Sequence, residues 1–202
     1  MSAATSASPA AAQAAAAPAD GVPRRPFDAL DAELQGFLAP TVERLGYFGE
    51  MFAVMAHVPD AIPRFMAYTQ AVKAPLADAE NEVLALATCA LLGARYERVQ
   101  HERLALRLGL SRAWVAAAAG WPGADPAALS ESERALRGLA LAVAGRAGHD
   151  CAREVAEAAC LLGAGKTVAA LLQVARFTAI AQLCNALALA LPVPSPLEEG
   201  EP

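Results

Sequence analysis

The sequence is short of the residues that build β-structure and of any surplus of positive charge. Aromatic side chains make up 5% of its 202 residues, and the 16 lysines and arginines fall below the 21 aspartates and glutamates. A net charge of −5 without a long basic run argues against a nucleic-acid groove, which needs clustered cations. No uncharged apolar run approaches the roughly 18 residues of a membrane span. The four cysteines, Cys89, Cys151, Cys160 and Cys184, include no Cys-x-x-Cys pair. They read as reduced core thiols of a cytosolic protein, not as a disulfide framework.

What the sequence has in excess is alanine, 53 residues of it, within a hydrophobic content of 56%. Larger apolar residues are then about 30% of the chain, an ordinary share for a globular protein. Alanine and leucine are the best apolar helix formers, whereas strands favour β-branched and aromatic side chains. The composition points to an all-α fold with an aliphatic core and closely spaced helices.

Residues 1–26 are rich in alanine, proline and serine, and Arg24 and Arg25 follow the alanine run with no apolar segment after them. This is not the order of a secretory signal. The reading is a disordered tail over 1–26, a helical domain over 27–191 and a short Pro/Glu tail over 192–202. Within the domain, Pro, Gly and capping residues predict helices over about 28–38, 40–57, 60–74, 79–92, 94–108 and 112–119. A second set follows over about 131–146, 151–162 and 166–190. Pro40 is expected at a helix start, Asp78 and Ser111 as N-caps, and Gly93, Gly109 and Gly120 as breaks. Ser130 and Glu133 have capping-box spacing. Leu76 to Glu80 resembles Leu129 to Glu133, a faint sign of a duplicated helical unit whose second copy reads as scaffold.

The chemistry concentrates between Glu82 and Leu110. With a 3.6-residue period, Glu97, His101, Leu104, Ala105 and Leu108 share one helix face, so an apolar stripe ends in a carboxylate and an imidazole. Arg98 and Glu102 lie on another face and read as a solvated i,i+4 pair. In the preceding helix Glu82 shares a face with Leu86, Cys89 and Gly93. A helical hairpin by itself does not require Glu82 and His101 to meet. Burial raises the pKa of a carboxyl group and a neighbouring imidazole stabilises its anion, so such a set can pass protons near neutral pH. A structural ion pair would use the same residues. Glu82, Glu97 and His101 also form a two-carboxylate, one-histidine set of metal-type ligands, but no second histidine motif supports a metal centre. His57 and His149 read as cap or surface residues. Trp114 and Trp121, flanking Ala116 to Ala119, read as core or interface.

Glu82, Ala94, Tyr96-Glu97, His101 and Gly109-Leu110-Ser111 resemble the carboxymuconolactone decarboxylase family, which includes alkyl hydroperoxidase D-like proteins. The likeness extends loosely over about 45–190. The resemblance implies an alkyl hydroperoxidase D-like helical bundle assembled as a homo-oligomer, a trimer or hexamer, in the cytoplasm. Its partner is a small-molecule substrate, with no cofactor, nucleic acid or membrane. In the hydroperoxidase members two cysteines attack peroxide; here those positions are Ala94 and Glu97. Cys89 is the nearest thiol, in an apolar setting that suppresses thiolate. The lactone decarboxylase members lack the cysteine pair and place a glutamate four residues before the histidine, as Glu97 precedes His101. By that resemblance Glu97 and His101 handle protons in a cofactor-free decarboxylation or isomerisation of a small organic acid or lactone. Tyr96 would steady an oxyanion, unless it is a core aromatic, and Glu82 would orient or serve as an alternative base. A thiol peroxidase and a non-catalytic oligomeric binding module are the alternatives.

Overall fold

The structure, a computed structural model, describes residues 20–198. They form eight α-helices and two short 3-10 turns, Phe27–Ala29 and Pro126–Ala128. The helices are α1 (Ala32–Leu45), α2 (Glu50–Met55), α3 (Ala61–Lys73), α4 (Asp78–Leu91), α5 (Arg95–Arg107), α6 (Arg112–Ala119), α7 (Glu131–Gly145) and α8 (Ala152–Ala186). The all-α reading is met.

The first helices differ from the expected boundaries. Asp31 accepts the Leu34 N–H at 2.8 Å and so starts α1 four residues after Asp28. Pro40 lies inside α1 rather than opening a helix. Both Pro40 and Gly36, whose carbonyl Pro40 cannot satisfy, are exposed, so water can take the orphaned group. Gly46, at φ 81°, ends α1 well before His57. Asp78 is the first residue of α4 rather than its cap; the Glu80 carboxylate accepts the Ala77 N–H at 2.7 Å instead. Ser111 and Ser130 cap α6 and α7 as expected. The break between 162 and 166 falls at Gly163, with φ 80°, a conformation that favours glycine.

Helices α4, α6, α7 and the first half of α8 enclose the larger core, with Val83, Leu84, Leu86, Leu136, Leu139 and Val174 fully buried. Fully buried alanines, among them Ala118, Ala140, Ala158 and Ala170, let these helices approach closely. A second core gathers α1, α2 and α3 against Tyr96 and the end of α8. Between the two, Cys89, Ala94, Phe177 and Ala181 form a small seam. Helix α8 is, by length and composition alone, long and apolar enough to cross a membrane, and 22% of that stretch is buried. Its inward side packs on α4 and α7, while Leu161, Val168 and Leu172 stand exposed on the outside.

Both flanking segments are tied down where they are described. Arg24 donates to the Leu187 carbonyl at 2.7 Å and Arg25 to the Ala56 carbonyl at 2.9 Å. His57 Nε2 meets the Pro23 carbonyl at 2.7 Å. Residues 20–26 therefore lie against the domain; the rest of the expected tail, 1–19, is outside the described residues. At the other end Ser195 is fully buried, and Arg95 and Arg98 pair with Glu198 at 2.7 and 3.3 Å.

Candidate active site

Helices α4 and α5 form a tight hairpin around Gly93, whose φ of 64° makes the turn. Glu82 lies 11 residues before that glycine and His101 eight after it, about 16 and 12 Å along their helices, within one turn of the same height. The hairpin thus brings them together: His101 Nδ1 and Glu82 Oε2 are 2.8 Å apart. Glu97, one turn before His101, puts Oε2 3.8 Å from the other ring nitrogen, Nε2. Phe177 of α8 meets the imidazole edge-on with centroids 5.0 Å apart and fixes the ring plane.

These groups face a cleft of about 380 Å³ lined also by Tyr96, Met51, Phe52, Phe65, Gln100, Gln173 and Arg176. All four residues singled out in the sequence, Glu82, Tyr96, Glu97 and His101, reach it. Tyr96 is a core aromatic as well as a wall of the cleft: it is buried, and its hydroxyl accepts the Met51 N–H at 3.3 Å. Gly49 leaves room for that hydroxyl, since a Cβ there would lie 2.8 Å from it.

Burial raises the Glu97 carboxyl above its ordinary value, with the charges of His101 and Arg176 pulling it part of the way back. Burial also opposes charge on His101, but the adjacent Glu82 outweighs it and the imidazole pKa ends up raised. Burial keeps the Tyr96 phenol protonated by pushing its pKa upward. The wall therefore holds an imidazole that favours its protonated form and a carboxyl that resists losing its proton. Among the described residues no three His, Cys, Asp or Glu side chains converge as metal ligands would.

The sequence reading missed Arg176. Its Nε donates to Gln173 Oε1 at 2.7 Å, and Gln173 Nε2 donates to Asn81 Oδ1 at 2.6 Å. The guanidinium lies 3.8 Å over the Phe177 ring, and burial works against its charge. Arg176 is the single charged residue between Thr167 and Ala186, which was the available signal. Arg95, Arg98 and Arg103, nearer in sequence, turn instead toward the segment 194–198. Glu102 does pair with Arg98, Oε1 to Nε at 3.6 Å, but not in solvent. It is fully buried and accepts from Trp121 Nε1 at 3.1 Å and from Ser195 Oγ at 2.6 Å.

The cysteines divide. Cys89 is fully buried behind the site, and burial pushes its thiol well up. Cys151 and Cys184 are buried too, whereas Cys160 is exposed and not a core thiol. Ala94, at the cap of α5, is fully buried.

Residues 58–141 match the model of the carboxymuconolactone decarboxylase family. The matched stretch carries Glu82, Tyr96, Glu97 and His101, and ends before Gln173, Arg176 and Phe177. Over the whole fold the chain is similar to the alkylhydroperoxidase AhpD core of an uncharacterized peroxidase-related protein from Ralstonia eutropha JMP134. The TM-score is 0.69 at 20% identity, covering 83% of this chain and 88% of that one. No curated protein matches.

Proposed function

We propose that this cleft performs cofactor-free acid–base chemistry, the decarboxylation or isomerisation of a small organic acid or lactone. The observation that carries the reading is the His101 ring held between Glu82 and Glu97 on an apolar wall. The Nδ1–H bond to Glu82 fixes the tautomer and leaves Nε2 as the working atom. At 3.8 Å, Nε2 and Glu97 are too far apart for a direct hydrogen bond and too close for an atom to sit between them, so the two stand side by side on the wall and can both reach a carbon lying in the cleft above them.

In the decarboxylation, the C–C bond to the leaving carboxylate breaks and CO₂ departs. Its electron pair passes into the adjacent carbonyl as an enolate, and imidazolium Nε2–H protonates the carbon; water then restores the proton. In the isomerisation the same nitrogen removes a proton from one carbon and returns it to another. The Tyr96 hydroxyl, whose lone pair already takes the Met51 N–H, offers its own proton to the enolate oxygen. Arg176, which lines the cleft with its Nε locked by Gln173, supplies the anchor for a substrate carboxylate.

The test is to incubate the protein with β-keto acids and unsaturated lactone acids in D₂O and follow CO₂ release and deuterium incorporation by NMR. Turnover should appear and fall by about 10²-fold or more in His101→Gln, as expected for loss of a general acid. Turnover that survives in that variant, or its absence across all these acids, overturns the reading. Self-association is also proposed, through the exposed Leu161, Val168 and Leu172 of α8. A charge at Val168 should then lower the mass measured by light scattering.

A further inference from the structure

A second cleft, of about 360 Å³, opens between α6, the Pro126 turn and α7. Its walls are Ala117, Trp121, Ala124, Pro126 and Leu129, and its polar groups are the guanidiniums of Arg134 and Arg137. Each guanidinium is held by one edge on a backbone carbonyl: Arg137 Nε donates to Ala118 at 3.1 Å, and Arg134 Nη1 to Leu129. Gly120 makes this possible, for a Cβ there would lie 2.6 Å from Arg137 Nη2. Among the described residues no aspartate or glutamate lines the cleft. Asp125, beside the Pro126 wall, accepts the Ala127 N–H, and Glu102, behind Trp121, accepts from that indole and from Ser195.

Two cations one helical turn apart, anchored by carbonyls and facing a concave apolar surface, are arranged as a carboxylate receptor is. Anchoring matters because an arginine already fixed on one edge loses little side-chain entropy when its other edge binds. The hydrocarbon walls select against a bare inorganic ion and for an anion with a ring or branched body. We propose that this cleft is a binding site for a small organic carboxylate, separate from the His101 site, with Arg134 and Arg137 gripping the charge and Trp121 and Leu129 covering the body.

Trp121 reports on it. In ¹⁵N–¹H spectra of the full chain, added benzoate should move the Trp121 indole N–H along a saturating curve. The Trp114 indole, buried away from this cleft, should stay in place. Arg137→Met and Arg134→Met should each weaken that binding by about tenfold, the usual worth of one charge-assisted hydrogen bond. Arg134 is exposed, so its variant keeps the test valid if Arg137→Met unfolds. Benzyl alcohol, the neutral counterpart, should leave the signal unmoved, and His101→Gln should leave the benzoate curve unchanged. A Trp121 signal that ignores benzoate, that responds in both arginine variants as it does in the unaltered protein, or that follows inorganic phosphate as well as benzoate overturns the proposal.

Discussion

The two clefts have nearly the same volume and opposite electrostatic designs. In the first, charges of both signs face each other across the imidazole: Glu82 and Glu97 against His101 and Arg176. In the second, two cations stand together and backbone carbonyls, not carboxylates, hold them. Burial in the first raises the pKa of the Glu97 carboxyl, and Glu82 raises that of the imidazole against its burial, which suits proton movement. The second has only arginines, which do not exchange protons near neutrality, so it suits holding an anion. The two helices that open these units begin alike, with Glu80 and Glu133 each accepting the N–H of the residue before its helix. Two residues after those glutamates stand Glu82 in one and Ala135 in the other. At that position one helix carries a carboxylate and the other a methyl group.

The contrast breaks most sharply at the imidazole. His101→Ala should reduce turnover by about 10²–10⁴-fold while circular dichroism stays that of a helical protein; retained turnover would give that wall a structural role only. Arg176→Met comes next. Losing a charge-assisted anchor should raise KM by about tenfold or more for an anionic substrate and leave KM for its methyl ester nearly unchanged.

A pH series sharpens the comparison without any substrate. The raised His101 pKa means that the folded chain keeps a proton the unfolded chain gives up near 6.5. That stability is complete below 6.5 and is lost as pH rises through the folded value. Glu97, raised from 4.5, acts with the same sign at lower pH. Chemical denaturation between pH 6.5 and about 7.5, below the ordinary thiol range, should show falling stability, and His101→Gln should flatten the slope. Ser195→Ala should cost about 1–3 kcal/mol, because buried Glu102 loses a donor; a denaturant midpoint checks it. The smallest effect belongs to Cys89→Ala, which should leave turnover within about twofold, as expected of a thiol that burial holds protonated.

The helices of the middle of the chain were readable because Gly93, Gly109, Ser111, Gly120 and Ser130 act locally, each through its own backbone or cap. Pro40 misled because the cost of a proline inside a helix depends on whether water reaches the orphaned carbonyl, and that is a property of the finished surface. Glu97 and His101 were visible as an interruption of an apolar stripe. Their meeting with Glu82 needed only the tightness of the Gly93 turn. Arg176 stood alone in an apolar helix and was passed over, since nothing local says that α8 returns to the first cleft. The burial of Glu102 was hidden for the same reason: its partners Trp121 and Ser195 come from 19 and 93 residues away.

His101 and Glu102 are neighbours in the chain, yet one is bonded toward the first cleft and the other toward the closing segment. Helix α5 is thus a beam clamped along both edges. Any roll about its long axis that loosens the imidazole from Glu82 also pulls Glu102 off Ser195 and Trp121. The aim of the imidazole is set by the whole helix, and a disturbance at residue 195, on the far edge, reaches it as torque.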